Sequence, residues 1–171
     1  MDKLLRTIGG VLFAGLALFG ISKTIQNIQK KAERHTFISF DYEDDSNYRF
    51  LLDALSKNPK FDFHFKDGSS ARINSKSVSK VKEILTKRIK ETDYTLILIG
   101  KSANTEHKDF KEIGFKNWIN FEVARSIKNN NKLIAVQINN KYEYPDELKH
   151  ASAYRVHSFT VDGINKAFDE V

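Results

Sequence analysis

The sequence predicts an α/β protein built on a doubly wound parallel sheet, and three observations predict it. Strand-like and helix-like runs alternate five times from His35 onward, as strand–helix–strand units require. Two of the strand-like runs, TLILIG and KLIAVQI, are almost wholly apolar, the pattern of strands covered on both faces. The stretches between them repeat their apolar residues at helical spacing, most clearly at Val78, Val81, Ile84, Leu85 and Ile89.

The elements follow in order. HTFISF (35–40) is a short β-rich run that ends in the acidic turn DYEDDSN. Asp45 or Ser46 is placed to cap the helix NYRFLLDALSK, with Phe50, Leu51, Ala54 and Leu55 on one face. FDFHF (61–65) alternates Phe with polar residues, as an edge strand does, and a polar loop 66–77 follows it. SVSKVKEILTKRIKET is the amphipathic helix already cited, and TLILIG is a central strand. Loop 100–116 leads into a helix read from GFKNWINFEVARS (114–126). KLIAVQI (132–138), a turn or short helix at YPDELKHAS, the strand YRVHSF and the helix VDGINKAFDEV, capped near Asp162, complete the chain. Five strands joined by right-handed crossovers favour the flavodoxin-like order 2-1-3-4-5. Ligands in such sheets bind beyond the carboxyl ends of the strands, where the order reverses between the first and third. That gathers DYEDD, loop 66–77 and loop 100–116 at one crevice.

Composition narrows the chemistry. The 171 residues suit one domain with an appendage, and 13 Phe and 6 Tyr supply a core. The absence of cysteine excludes disulfides, thiolate zinc sites and a cysteine nucleophile. The net charge of +6 comes mostly from lysines spread along the chain. A nucleic-acid groove needs a clustered basic stripe, so no nucleic-acid partner is expected. The acidic turn Asp41, Glu43, Asp44 and Asp45 repels phosphate where a flavin cradle would stand. It reads as a solvated cap, with a hard cation as its rival. Strand three ends in Gly100 rather than a phospho-acceptor Asp. Neither a P-loop nor GxGxxG is present, and the five histidines are scattered.

Residues 1–34 form a separate unit in this reading, and 35–171 the α/β domain. Sixteen uncharged residues, 7–22, separate Arg6 from Lys23. They are slightly short of the ~20 residues of a usual span. The segment is read as an uncleaved membrane anchor. A helix buried in an oligomer and a cleaved signal peptide are its rivals. Lys23, Lys30, Lys31 and Arg34 downstream place the domain in the cytoplasm. Gly10 with Ala14, then Ile21, Ile25 and Ile28, offer faces for pairing with a second copy.

One residue stands out against its surroundings. Trp118, Ile119, Phe121, Val123, Ala124 and Ile127 surround Glu122 on an apolar helix. A carboxylate there is either an exposed edge paired with Arg125 or a catalytic group beside an aromatic wall.

FISFDYEDD closing the first strand, FKDGS closing the second, TLILIGKSA for the third and WINFEVARS opening the next helix resemble the bacterial TIR-like family, and within it the Thoeris-type TIR-like proteins. The similarity covers most of the chain, about residues 35–165. It implies a TIR-like, flavodoxin-like fold and cleavage of NAD at the nicotinamide–ribose bond. In the defence family the product is a cyclic ADP-ribose-type signal that activates a separate effector during phage infection.

The family's catalytic Glu, four residues after the Trp, matches Glu122. Phe40, Asp41 and Tyr42 match its first-strand rim, Asp67 and Ser69 its second-strand loop, and Trp118 the wall of the site. The resemblance implies no metal and no cofactor: NAD is the substrate, and the acidic rim turns the expectation away from NADP. Self-association completes sites of this type. With the anchor, the expected location is the inner membrane, single-pass, with the domain in the cytoplasm. The competing reading is a non-catalytic nucleotide-binding module or membrane-anchored scaffold, in which Glu122 is structural.

Overall fold

The computed structural model describes residues 34–58, 66–67 and 73–171. The hydrophobic segment 7–22, the expected strand 61–65 and Ser69 lie outside them. Among the described residues, no helix is long and apolar enough to cross a membrane.

Five parallel strands form one sheet in the order β2-β1-β3-β4-β5, as expected. They are β1 (His35–Ser39), β2 (Lys66–Asp67), β3 (Tyr94–Ile99), β4 (Lys132–Gln137) and β5 (Tyr154–Val156). The helices are α1 (Ser46–Ser56), α2 (Val78–Lys90), α3 (Phe110–Ile113), α4 (Trp118–Lys128), α5 (Asp146–Lys149) and α6 (Val161–Glu170).

Successive side chains of a strand point to opposite faces, and the core divides accordingly. Ile38, Leu96, Leu98, Ile134 and Val136 join Leu52 of α1 and Ile164, Ala167 and Phe168 of α6 on one face. On the other, Ile97, Ile99, Leu133 and Ala135 meet Ile119 and Val123 of α4. Phe37 faces Leu85 and Ile89 of α2 and Phe121 of α4. All six residues of β3 are buried, which explains its almost wholly apolar sequence.

Several local expectations are corrected. Lys66 and Asp67, expected in a loop, pair in parallel with His35 and Thr36. Pairing at a sheet edge uses backbone groups, so side-chain alternation marks its position weakly. On α1, Phe50 and Leu51 are 69 % and 45 % exposed and Ala54 is also exposed, whereas Leu52 is fully buried. The inward stripe is Tyr48, Leu52 and Leu55, a second i, i+4, i+7 set on the same helix. Leu52→Ala is therefore expected to cost about 2–5 kcal/mol. Phe50→Ala should stay within about 0.5 kcal/mol. Equal losses in denaturant melts would refute this assignment.

Capping also differs from expectation. Asp45 occupies the N-cap of α1 but makes no side-chain capping bond. The cap of α6, expected near Asp162, is Thr160, which accepts from the Gly163 N–H at 3.2 Å. Residues 114–116 are not helical. Gly114 (φ 73°) closes the one-turn helix α3, in the left-handed region that glycine enters without steric cost. Asn117 then starts α4 by accepting from the Asn120 N–H at 2.9 Å.

Candidate functional site

The strand order reverses at β1, which has β2 on one side and β3 on the other. The loops leaving β1 and β3 meet there. Asp41 Oδ1 accepts from the backbone N–H groups of Glu43 and Asp44, both at 2.9 Å. This closes the acidic turn on itself, as an Asx turn does. The Ser102 hydroxyl donates to the Asp44 carboxylate and so ties the two loops together. Asp45 is buried, and its Oδ2 has no hydrogen-bond partner among the described residues. Burial, then the charges of Asp41 and Asp44, push its pKa up to about 6. It lies where a Cβ on Gly100 would fall, so the missing side chain of Gly100 makes its room.

The loop after β3 is fastened to the start of α4. Asn117 Nδ2 donates to the carbonyls of Ala103 (3.0 Å) and Thr105 (2.9 Å). Asn120 Oδ1 accepts from the Glu147 N–H at 3.1 Å, which brings α5 to the same corner. These bonds hold the first turn of α4, and with it Trp118 and Glu122.

Glu122 is only 8 % exposed. Its Oε2 accepts a 2.5 Å hydrogen bond from the hydroxyl of Ser39, the last residue of β1. Its carbonyl accepts from Ser126 Oγ at 2.8 Å, and Thr95 Oγ1 of β3 donates to Ser126 Oγ at 2.8 Å. The exposed Glu122–Arg125 pair offered as one reading is not formed. Arg125 instead lies over the Phe121 ring, 5.0 Å from its centroid. Burial pushes the Glu122 pKa up to about 8, while the Ser39 hydroxyl and the charge of Arg88 on α2 pull it back. A carboxyl buried this deeply favours its neutral form, and the burial outweighs both.

The other expected site residues are distributed around this pair. Phe40 and Tyr42 stack with centroids 5.3 Å apart and planes at 30°. Tyr42 is half-exposed. Trp118, half-buried, packs edge-on against Phe121 and His107, at 5.9 and 6.3 Å. Asp41 serves the turn. The Asp67 carboxylate pairs with Arg49 of α1, which fastens the β2 edge.

Ser39 is the site residue that the sequence reading passed over. Its signal was a small hydroxyl closing the apolar run Phe37–Ile38, one residue before the rim residues selected. Among the described residues, no group of three or more His, Cys, Asp or Glu side chains is placed to hold a metal ion.

A doubly wound sheet with a buried glutamate and an aromatic rim at its switch point defines a domain of the TIR-like class. Residues 37–143 match the family model described as Thoeris protein ThsB, TIR-like domain, and the chain belongs to that antiphage-defence family. The matched span contains Glu122, Ser39 and every rim residue named above. A search among curated proteins finds no match.

Proposed function

We propose that this chain cleaves NAD at the nicotinamide–ribose bond, with Glu122 as the carboxyl beside the reacting ribose. The observation that carries the reading is the Ser39–Glu122 pair: a buried carboxyl, held by a hydroxyl and in no ion pair among the described residues, at the end of the sheet where such folds bind ligands. A buried carboxyl with a shifted pKa in that position is a candidate for chemistry on physical grounds.

In the reaction, the C1′–N bond breaks and its electron pair leaves with nicotinamide as the neutral base. The ribose becomes oxocarbenium-like, and an ionised Glu122 stabilises that charge. The incoming nicotinamide ring of NAD is cationic, and a cation nearby lowers the pKa of Glu122 towards ionisation. Capture by water yields ADP-ribose and a proton. Capture by an adenine nitrogen yields a cyclic product, and needs water kept out. In this reading the Phe40–Tyr42 stack receives a planar base and Trp118 walls the pocket. The product would act as a signal to a separate effector. Self-association would complete the site, and residues 7–22 would tether the domain to the inner membrane on its cytoplasmic side.

The test is direct. The full chain in detergent is incubated with NAD at high protein concentration, and nicotinamide and product masses are followed. Nicotinamide release is expected, with kcat/KM rising on an acid limb that approaches pH 8. The product mass separates hydrolysis from cyclisation. No release at any pH, even from concentrated protein, would overturn the reading and leave a nucleotide-binding or scaffold role. Sedimentation of the full chain with membranes, lost on deleting residues 1–30, checks the tether.

A further inference from the structure

Two strands hold Glu122 from two directions. From β3, Thr95 reaches the Glu122 carbonyl through Ser126. Thr95 Oγ1 is itself bonded by Asn131 Nδ2 at 3.1 Å, just past the end of α4. This arm fixes the backbone of the helix. From β1, Ser39 fixes the side chain at Oε2. The other oxygen, Oε1, accepts no hydrogen bond among the described residues. The two carboxyl oxygens therefore differ: among the described residues, Oε2 is held by a hydrogen bond and Oε1 is not.

We propose that Ser39 is a positioning residue for Glu122, its hydroxyl holding Oε2 so that Oε1 is presented to the substrate ribose. The inference rests on the NAD-cleaving reading above and adds to it a residue with a distinct role. Ser39 is fully buried, so it acts through Glu122 rather than by touching substrate. The bond spans 83 residues of sequence and is the only side-chain bond to the Glu122 carboxyl among the described residues. Without it the carboxyl gains rotational freedom, and small errors of placement at a reacting centre are costly. A hydroxyl donating to a carboxylate also favours the ionised form.

The charged groups around Glu122 do not substitute for Ser39. Arg88 of α2 acts on Glu122 through its charge alone. Lys82 of α2 and Arg125 of α4 lie over the Phe121 ring. Asp41 and Asp44, in the turn after β1, bear on Asp45. β1 supplies only the hydroxyl.

The experiment compares the wild-type full chain in detergent with Ser39→Ala, Ser39→Cys and Ser39→Thr. Glutamate carboxyl carbons are labelled with ¹³C, the Glu122 resonance is assigned by its loss in Glu122→Gln, and its titration is followed by NMR. Nicotinamide release is measured on the same samples across pH. Ser39→Ala is expected to move the Glu122 titration and the acid limb of activity together to higher pH. It should lower kcat about tenfold, with KM within about twofold of wild type. Ser39→Cys fills the same space with a weak donor and should move both in the same direction. Ser39→Thr, which keeps the hydroxyl, should restore them. If Ser39→Ala does not fold, the Cys variant decides. An unchanged Glu122 titration in a folded Ala or Cys variant would overturn the proposal. A shifted titration without nicotinamide release from any chain, wild type included, would uphold the Ser39–Glu122 link and overturn the NAD-cleaving reading instead.

Discussion

Glu122→Gln is expected to reduce nicotinamide release by about 10²–10³-fold or more, the usual effect of removing a group aimed at developing charge. Glutamine keeps the volume of glutamate and can still accept the Ser39 hydrogen bond, so the loss reports the charge rather than the packing. The same substitution makes an independent prediction for stability. The Glu122 pKa is raised in the folded protein, from 4.5 to about 8, chiefly by burial. The stability linked to this group is therefore fully present below pH 4.5. It is lost as pH rises through 8, because the unfolded chain ionises first. Glu122→Gln removes that loss. Its melting temperature, relative to wild type, should rise between pH 5 and pH 9. A difference that stays constant with pH would show that Glu122 is not the buried neutral carboxyl described above. Activity and stability thus move in opposite directions in one variant, as expected where a functional site stores an unfavourable charge.

Gly100→Ala is expected to give the second large effect. An added Cβ would lie 2.0 Å from Asp45 Oδ1 and 2.1 Å from Oδ2, far inside contact distance. The cause is space, since among the described residues Gly114 is the glycine with positive φ. Asp45 is short, buried and next to the first turn of α1, so its carboxyl has little room to retreat. The expected cost is about 1–3 kcal/mol, the range of overpacked sites, or very roughly 2–10 °C in melting temperature for a chain of this size. Asp45→Ala removes the obstructing carboxyl, and the double variant should recover most of the loss. A coupling of about 1 kcal/mol or more in that double-mutant cycle is the signature of direct contact. Additive effects would mean that the β1 and β3 loops do not meet as described.

Much of the frame was legible in the sequence because burial leaves a local trace. A strand covered on both faces must be apolar throughout, so TLILIG announced β3, which lies between β1 and β4. An amphipathic helix repeats every 3.6 residues, so α2 was visible at Val78, Val81, Leu85 and Ile89. Less was legible where two patterns coexist. α1 carries two apolar sets, and periodicity cannot choose between Phe50–Leu51–Ala54 and Tyr48–Leu52–Leu55, since each is a valid helical face. The docking of α1 on Ile38, Leu96 and Leu98 chooses the second. The stretch GFKNWINFEVARS, taken alone, reads as one helical run, although 114–116 belong to the loop. The left-handed backbone of Gly114 is what separates α3 from α4.

The candidate site divides in the same way. Glu122 could be singled out from sequence as a carboxylate among apolar residues, and its two possible settings could be stated. The tertiary structure set aside the exposed pair with Arg125. It turned the side chain inward to Ser39 and sent Arg125 to the face of Phe121. From the sequence alone come the class of fold and a carboxylate set among apolar residues, because side-chain periodicity is a local consequence of burial, while the strand order follows from the right-handed crossover rule. The partner of that carboxylate, the room Gly100 leaves for Asp45 and the face that α1 presents depend on which distant segments meet. That is settled when the crossovers lay the helices on the sheet, since a hydrogen bond between residues 83 positions apart leaves no periodic mark in either segment.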